Sequence, residues 1–405
     1  MTANNSVYIA AVARTPIGAF NGQLASLSAT KLGSIVVEGA LKKAGISPDL
    51  VEEIYFGNVL SANLGQNPAR QVALGAGLPQ SCISTTVNKV CASSMKAVML
   101  AAQAIQLGQA DIIVASGAES MSNVPYYLPK MRFGAKYGNQ EVIDGLQKDG
   151  LTDVYNNYAM GNAADETADE EGITREDQDN FAVESYKRAQ AATEQGLFQG
   201  EIIPVVIPGV RGQPDKVITT DEEIKNLNEA KLRSVRPAFK PNGGTVTAGN
   251  SSPLSDGASA VILISGAKAR ELGIPVIAVV RGYADAEHRP ERFTTAPSLA
   301  VPKALKHANI SQDQVDFYEI NEAFAVVALA NMKKLGVPNN SNVNVFGGAV
   351  ALGHPLGCSG ARVIATLVNV LQQRNGKIGV AGICNGGGGA SAIVIERVPE
   401  SEARL

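Results

Sequence analysis

The sequence predicts an α/β fold, and three observations support this prediction. Strand-like apolar runs alternate with helical ones along the chain, as they do in layered α/β proteins. Glycine is frequent, at 41 residues, and aromatic residues make up only 5% of the chain, which suits close packing of helices on a sheet. The 405 residues are 45% hydrophobic, enough for a large core and for two or three domain-sized units.

The elements follow one another in a regular order until residue 122. We predict strands over 7–12, 53–59, 110–117 and 378–383, and helices over 95–107 and 175–196, the second opened by Thr174 as its N-cap. The segment 123–247 is richer in charge, Asn and Gln than its surroundings. We interpret it as an inserted loop domain that ends in the small-residue stretch 245–252.

A faint internal repeat relates two distant parts of the chain. Near Cys91, and again near His354, a turn opens a helix and an apolar strand follows. Two similar α/β halves would bring both helix N-termini and both strand ends to one seam. Ligands bind at such places in open α/β sheets, so we expect the functional site there.

Composition excludes several classes of function. The formal net charge of −3 offers no basic field to attract nucleic acid, and no apolar run reaches the roughly 20 residues that span a bilayer. The four cysteines lack Cys-x-x-Cys spacing and there are only three histidines, which argues against a disulfide framework and against zinc. The chain start has no leader pattern and the last residues are not a peroxisomal signal, so we expect a cytoplasmic protein.

Two cysteines and one histidine lie in separate turns rich in small residues. Cys91 precedes an apolar helical pattern, where free N–H groups favour a thiolate; the alternative is a buried cysteine packed as a small hydrophobe. His354 lies in a Gly-His-Pro turn and is either a reactive imidazole or a structural hydrogen-bonding residue. Cys384 follows an apolar strand and precedes four glycines, which indicates a reactive group beside an oxyanion site. Asn321, at a strand-to-helix junction, can orient a water or cap the helix.

The whole chain resembles the thiolase family, most closely its biosynthetic acetoacetyl-CoA thiolases. The segments that carry this resemblance are 13–18, 65–70, 88–94, 119–122, 244–250, 321–324, 347–355 and Cys384 with its glycines. The resemblance implies two βαβαβαββ halves in a five-layer α-β-α-β-α sandwich with an inserted loop domain. The implied division is an N-terminal half, 1–122, completed by 248–272; a loop domain, 123–247, for CoA binding and tetramerisation; and a C-terminal half, 273–405.

The resemblance also assigns roles to single residues. Cys91 matches the acylated nucleophile, His354 its activating base, Cys384 the acid/base for the α-proton, and Asn321 the residue that holds an oxyanion-hole water. The backbone N–H groups of Cys91 and Gly386 match a second oxyanion hole. The positions that match CoA and acyl contacts are Met160, Lys225, Lys231, Phe239, Ala248, Ser252, Phe293, Ala323 and Phe324. Those that match the potassium site of K⁺-activated members are Tyr186, Ala248, Gly249, Ser251 and Val350.

The implied activity is the reversible Claisen condensation of two acetyl-CoA to acetoacetyl-CoA and CoA, through an acetyl-cysteine, feeding mevalonate and sterol synthesis. Apart from CoA as substrate and product, and K⁺ as a candidate activator, the chemistry needs no cofactor. A decarboxylating ketoacyl synthase would lack Cys384, and a non-catalytic CoA-binding relative would have lost one of the three reactive residues. A degradative 3-ketoacyl-CoA thiolase of broader chain length remains the alternative.

Two further expectations concern chain length and assembly. Phe293 and Met160 are bulky residues at positions that match the acyl pocket, which predicts a preference for acetoacetyl-CoA. The segment 125–133 concentrates Tyr, Phe, Met and Arg, the residue types enriched at interface cores. In biosynthetic thiolases the matching segment joins two dimers, so we expect a homotetramer, a dimer of dimers; the alternative is a loop folded back on its own domain.

Overall fold

The computed structural model describes residues 6–209, 212–337 and 340–405. Residues 1–5, part of the chain start used for the cytoplasmic prediction, lie outside the described residues. The strands are β1 Val7–Arg14, β2 Gly18–Ala19, β3 Glu53–Gly57, β4 Ile83–Val87, β5 Ile112–Ser120, β6 Tyr126–Tyr127, β7 Ile143–Asp144, β8 Thr152–Asp153, β9 Tyr158–Ala159, β10 Val205–Ile207, β11 Lys216–Ile218, β12 Ser255–Ser265, β13 Ala278–Glu287, β14 Phe317–Ile320, β15 Ile378–Asn385 and β16 Gly389–Arg397. The helices are α1 Ala29–Ala44, α2 Pro68–Gly75, α3 Ser93–Gln106, α4 Met160–Glu171, α5 Arg175–Glu194, α6 Glu229–Ser234, α7 Gly266–Leu272, α8 Pro297–Ala308, α9 Ala325–Leu335, α10 Ala349–Leu352 and α11 Leu356–Gln373.

One large mixed sheet runs through the molecule. Its strand order is β14-β15-β16-β13-β1-β12-β5-β3-β4, with β2 paired to β12. The two halves of the sheet meet at a short antiparallel contact of Tyr8 and Ile9 with Val279 and Ala278. All eleven residues of β12 are buried, as expected for a strand covered on both faces.

Helices cover both outer faces of this sheet and fill the space between its halves. Apolar residues of α3 and α11 form the central core together with β1, β5, β12, β15 and β16. The α1 and α2 helices cover the outer face of the first half, and α8 and α9 cover that of the second. The layer order is therefore α-β-α-β-α. The predicted α/β class is confirmed, and no helix among the described residues has the length and apolar character needed to cross a bilayer.

The N-terminal turns of α3 and α11 meet at the centre of the molecule. Ser94 Oγ accepts a hydrogen bond from the Ala361 N–H at 2.9 Å and donates one to the Cys358 carbonyl at 3.1 Å. A Cβ at Gly360 would lie 2.3 Å from the backbone nitrogen of Met95, so only glycine permits this approach. The seam predicted from the internal repeat is confirmed.

The segment 123–247 contributes α4, α5, α6 and several two- and three-residue strands. Thr174 caps α5 as predicted, in a capping box with Asp177, although the helix ends at Glu194, two residues before the predicted end. A fully buried guanidinium joins this segment to β1: Arg14 forms ion pairs with Glu201 and Asp221. The segment is thus fixed beside the seam that carries the candidate site.

Candidate active site

A cavity of about 260 Å³ opens at the seam between the two halves. Its walls are mainly apolar, and residues from both halves and from the inserted segment contribute to them. The lining residues are Val90, Cys91, Met121, Gln147, Gly150, Leu151, Ala159, Met160, Gly161, Phe239, Ser251, Ser252, Pro253, Leu254, Phe293, Ala323, Phe324, His354, Leu356 and Gly386. Cys91, His354 and the glycine after Asn385 are therefore brought together although they are far apart in sequence.

Cys91 lies in a strained turn directly before α3. Val90 has a left-handed backbone (φ 47°), which is rare for a β-branched residue. Ser93 holds the turn: its Oγ accepts from the Lys89 N–H at 2.9 Å and donates to the Val90 carbonyl at 2.6 Å. Cys91 thus points into the cavity while remaining only 8% exposed.

Opposing effects act on the Cys91 thiol. Burial raises the pKa of Cys91 to about 11, and the backbone N–H groups of Gly386 and of Cys91 itself act in the opposite direction. Both N–H groups therefore lie near the sulfur, and Cys91 and Gly386 line the same cavity. The Lys89 ammonium also favours the thiolate, whereas the Glu119 carboxylate disfavours it. The resting thiol is protonated at neutral pH and needs a base to become a nucleophile.

His354 presents one free nitrogen to this cavity. Ser359 Oγ donates to the Pro355 carbonyl at 2.9 Å, so it accepts the Nδ1–H of His354, 2.6 Å away. This assignment leaves Nε2 as the lone-pair nitrogen, and Nε2 is buried without a hydrogen-bond partner in the described part of the chain. Burial, helped by the charge of Arg362, lowers the pKa of His354 to about 3, so the imidazole is neutral at rest.

The turn that carries His354 is fixed from both sides. Gly353 has φ 111°, and a Cβ there would lie 2.3 Å from the Ser255 hydroxyl. Just after the turn, the N–H of Gly357 donates to the buried Glu119 carboxylate at 2.9 Å. Glu119 also accepts hydrogen bonds from Asn58, Val59 and Leu60 of the first half. A carboxylate on β5 therefore positions the imidazole turn of the second half.

Cys384 lies behind the cavity wall rather than in it. It is the penultimate residue of β15 and is fully buried against Phe293, Ala323 and Val327. Burial raises the pKa of Cys384 well above its usual value, and the nearby Cys91 sulfur raises it further. The two thiols therefore influence each other, but only Cys91 lines the cavity itself.

Asn321 is not a helix cap. The following helix, α9, begins at Ala325, and its N-cap residue is Phe324. The Asn321 side chain is fully buried, and its Oδ1 accepts from Arg362 at 3.4 Å. This contact assigns the amide orientation and leaves Nδ2 as a buried donor without a partner in the described residues. Such a donor suits a bound water or a ligand oxygen.

The positions matched to CoA contacts fall into two groups. Six of them line the cavity: Met160, Phe239, Ser252, Phe293, Ala323 and Phe324. The Ser252 hydroxyl donates to the Ala323 carbonyl at 2.8 Å, which fixes these two wall segments to each other. Ala248, Lys225 and Lys231 do not line the cavity; all three are exposed.

The positions matched to a potassium site lie close to one another. Tyr186 and Val350 share a small apolar cluster with Leu232, and a Cβ at Gly249 would contact the same leucine. Ser251 donates its hydroxyl to the Thr247 carbonyl at 2.6 Å. Burial raises the pKa of Tyr186 to about 12, so its hydroxyl is neutral at physiological pH.

Comparison with known proteins agrees with this geometry. Models of the thiolase N-terminal domain and the thiolase C-terminal domain match residues 7–267 and 274–397. The chain belongs to the thiolase family, as its sequence motifs predicted, and it is a thiolase-family enzyme. It is 60% identical to "Acetyl-CoA acetyltransferase ERG10, cytosolic" of Gibberella zeae, over 97% of this chain and 98% of that protein. It is 61% identical to an acetyl-CoA acetyltransferase of Schizosaccharomyces pombe, over 98% and 100%.

A solved structure shares the fold over nearly the whole chain. The Acat5 thiolase of Ascaris suum, in complex with coenzyme A, superposes with a TM-score of 0.91 and is 45% identical. The superposition covers 97% of this chain and 100% of that one. The thiolase fold predicted from the sequence is therefore confirmed.

Several residues that hold the site were given no role from the sequence. Ser359, Arg362 and Glu119 contact the groups that face the cavity or position the turn that carries them. The sequence did contain a signal for Ser359, because this serine follows the His354 turn and lies in the first turn of α11, within reach of the imidazole. The Glu119 contact joins residues 238 positions apart, and no local pattern reveals it.

Proposed function

We propose that this protein is an acetyl-CoA C-acetyltransferase, which reversibly condenses two acetyl-CoA to acetoacetyl-CoA and CoA. One observation carries this proposal: Cys91 and His354 Nε2, which has no hydrogen-bond partner among the described residues, share an apolar cavity, with a second buried thiol, Cys384, directly behind it. A thiol, a neutral imidazole and a second thiol are the groups needed for acyl transfer followed by proton removal at carbon.

In the first half-reaction, His354 Nε2 takes the proton of Cys91, and the thiolate attacks the carbonyl carbon of acetyl-CoA. The bond from carbon to the CoA sulfur breaks, and the departing sulfur takes the proton of Cys384. The products are acetyl-Cys91, an imidazolium and a Cys384 thiolate. The neutral resting states of both thiols and of the imidazole support this assignment, because each group begins in the protonation state that the step requires.

In the second half-reaction, the Cys384 thiolate removes a methyl proton from a second acetyl-CoA. The resulting carbanion attacks the carbonyl carbon of acetyl-Cys91, and the bond from that carbon to Sγ breaks. The released Cys91 thiolate recovers its proton from the imidazolium, so acetoacetyl-CoA leaves and all three residues return to their initial states. Without charge stabilisation on oxygen, the carbanion and the tetrahedral intermediate would be too high in energy.

Two groups of donors are available for those oxygens. The backbone N–H groups of Cys91 and Gly386 lie near the Cys91 sulfur and are assigned to the acyl oxygen on it. Asn321 Nδ2 is assigned to a water that, together with His354, faces the enolate oxygen. The support for Asn321 is its fixed amide orientation and its lack of a protein partner in the described residues.

We assign the apolar cavity to the pantetheine and acyl parts of CoA, with Met160, Phe239, Ser252, Ala323 and Phe324 as contacts. The coenzyme A complex of the Ascaris suum thiolase supports CoA as the ligand class. The nucleotide end would lie outside the cavity, beyond Ala248, with Lys225 and Lys231 as the candidate partners of its phosphates.

Chain length tests the proposal against a degradative thiolase. Phe293 is 2% exposed, lines the cavity and packs in the same apolar cluster as Cys384, and its bulk there supports a short acyl group. We expect efficient thiolytic cleavage of acetoacetyl-CoA and at least tenfold lower kcat/KM for a C10 3-ketoacyl-CoA. Comparable turnover of the two substrates would assign the protein to the degradative class. Failure to cleave either substrate would refute the proposed activity.

A monovalent ion is proposed at Tyr186, Ala248, Gly249, Ser251 and Val350. The support is the shared cluster of Tyr186 and Val350 and the fact that another of these residues, Ser251, lines the cavity. An ion there would act by holding that wall. Rates measured in K⁺ and in Na⁺ should differ, and Tyr186→Phe should reduce the difference; equal rates in the two salts for the unmodified protein would exclude the site.

A homotetramer is proposed, with the arm 125–133 as one contact between dimers. The arm carries Tyr126, Met131 and Phe133, which are 65%, 53% and 85% exposed. Exposed apolar side chains at this density support an interface. Deleting 126–133 should give an active or partly active dimer by light scattering, whereas a monomeric unmodified protein at micromolar concentration would contradict the assembly.

The cellular setting and the domain division complete the proposal. The cytosolic name of the Gibberella zeae relative supports a cytoplasmic enzyme. Acetoacetyl-CoA would there feed mevalonate and sterol synthesis. The proposed division into 1–122 with 248–272, 123–247 and 273–405 is supported by the strands β6 to β11 of the inserted segment, which form three two-stranded sheets separate from the large sheet.

A further inference from the structure

The side chain of Lys89, two residues before Cys91, joins the two halves of the molecule. Lys89 Nζ donates to Asn385 Oδ1 at 2.9 Å, to Ser391 Oγ at 3.2 Å and to the Ala390 carbonyl at 3.4 Å. Its main chain belongs to the Cys91 turn, because the Lys89 N–H donates to Ser93 Oγ. The side chain is 17% exposed, so these contacts are largely shielded from water.

Asn385, which accepts a hydrogen bond from the Lys89 ammonium, immediately precedes Gly386, whose backbone N–H acts on the Cys91 thiol. Asn385 is 4% exposed, and its Nδ2 donates to the Gly386 carbonyl at 2.9 Å. The peptide bond between Asn385 and Gly386 carries the Gly386 N–H that lies near the Cys91 sulfur. Both polar atoms of the Asn385 side chain are therefore hydrogen-bonded, Oδ1 to Lys89 and Nδ2 to the glycine loop.

The two N–H donors at Cys91 come from different halves of the chain. The Cys91 N–H belongs to the turn before α3, and the Gly386 N–H to the end of β15. No covalent constraint sets the distance between them, yet the stabilisation of an oxyanion depends on both donors being within hydrogen-bond reach of one oxygen. A contact between the two turns is needed to hold that spacing.

We propose that Lys89 is a positioning residue, which sets, through Asn385, the separation of the Cys91 and Gly386 N–H donors. The inference rests on the proposed acetyl transfer, since those donors matter only if an acyl oxygen occupies the space between them. Lys89 touches neither substrate nor reacting atoms in this assignment. It acts by holding the turn of one half to the strand end of the other.

The chain supplies a matched control for the charge of Lys89. Asp285 forms one ion pair with Lys89, at 3.4 Å, and another with Lys96, at 2.7 Å. Lys96→Met therefore removes a cation from the same carboxylate and changes the net charge equally. Lys96, on α3, makes its ion pair with Asp285 and leaves the contact between Lys89 and Asn385 in place.

The test compares two reactions of the same sulfur. Acetylation of Cys91 by acetyl-CoA develops an oxyanion, whereas alkylation by iodoacetamide displaces iodide and develops none. Both rates are followed by mass spectrometry of the Cys91 peptide in the unmodified protein, Lys89→Met, Lys96→Met, Asn385→Ala and the Lys89→Met/Asn385→Ala double variant. Melting temperatures are recorded for each.

We expect Lys89→Met to acetylate about tenfold to 100-fold more slowly, below the 10²–10³ lost when an oxyanion donor is removed outright. Alkylation is measured over a range of pH, and the rate constant of the Cys91 thiolate itself should stay within about twofold. That constant excludes the change in thiolate fraction caused by losing the Lys89 charge, and no oxyanion develops in the reaction. Asn385→Ala should also lose acetylation selectively, and the double variant should lose less than the two single losses combined, because both changes remove the contact between Lys89 and Asn385. Lys96→Met should behave like the unmodified protein in both reactions.

Three results would overturn the assignment: unchanged acetylation in Lys89→Met, equal losses in acetylation and alkylation, or the same loss in Lys96→Met. If Lys89→Met does not fold, Asn385→Ala carries the test on the same criteria, because the ammonium retains Ser391, the Ala390 carbonyl and Asp285. Failure of the unmodified protein to accept acetyl from acetyl-CoA is a separate result. It would remove the proposed function and this assignment with it.

Discussion

The two reactive thiols of this molecule have contrasting surroundings. Cys91 lies in a strained turn, lines the cavity, and has two backbone N–H groups nearby and, further away, the Lys89 ammonium. Cys384 lies within a strand and packs against Phe293, Ala323 and Val327, with no exposed surface. The same side chain thus occupies a polarised site in one half and an apolar site in the other.

This difference explains how one residue type can serve two purposes. Groups that stabilise an anion make Cys91 suited to hold an acyl group and to leave again as a thiolate. Apolar packing makes Cys384 a stronger base once deprotonated, because burial disfavours its charged form. A thiol that removes protons from carbon benefits from that higher basicity. The surroundings of each cysteine, more than its sequence motif, separate the nucleophile from the base.

The largest expected effect comes from removing the buried thiol. Cys384→Ala should abolish condensation and the exchange of acetyl methyl protons with solvent, by about 10³-fold or more, because it removes the base assigned to the methyl group. Acetylation of Cys91 should persist. Steady-state condensation and deuterium incorporation from D₂O measure the two outcomes. Near-normal condensation in this variant would contradict the division of roles.

An intermediate effect is expected from the residue that fixes the imidazole. Ser359→Ala removes the acceptor of the His354 Nδ1–H and frees the ring to adopt the other tautomer, in which Nε2 no longer accepts a proton. We expect kcat to fall about tenfold with KM little changed. Ser34→Ala is the matched control, since Ser34 makes the same hydroxyl contact to the carbonyl four residues earlier. Equal losses in the two variants would indicate a general effect of serine removal.

The smallest effect concerns stability at acidic pH. The pKa of His354 is lowered by burial to about 3, so between pH 6.5 and pH 3 the unfolded chain binds a proton that the folded protein does not. Stability therefore falls as pH falls through this range. His354→Asn should remove up to about 2 kcal/mol of the loss between pH 7 and pH 5. Urea unfolding at the two pH values measures it, with His307→Asn on the surface as control; an unchanged pH dependence would refute the buried neutral imidazole.

Sequence reasoning succeeded where the information is local. Thr174 followed by Asp177 signals a helix start, and the turn before α3 is evident from the small residues after Cys91. The internal repeat was enough to place two helix N-termini at one seam. In the first two instances the residues that determine the structure lie within one or two helical turns of it, and the repeat combines two such local patterns.

Contacts across the seam could not be predicted in this way. The sequence was compatible with Asn321 as a helix cap. In the structure the cap is Phe324, and the side-chain amide of Asn321 contacts Arg362. Lys89 reaches Asn385, 296 residues later, and nothing in the sequence near either residue indicates the contact. Such pairs depend on how the two halves pack, which hydrophobic periodicity does not specify.

The position of the acetyl group tests the central claim most directly. The unmodified protein is incubated with acetyl-CoA labelled with carbon-13 in the acetyl group, quenched in acid and digested, and the peptides that contain Cys91 and Cys384 are compared by mass. The account predicts label on the Cys91 peptide, retained in Cys384→Ala and absent in Cys91→Ala. Label on Cys384, or on neither cysteine, would contradict the assignment of nucleophile and base to the two turns.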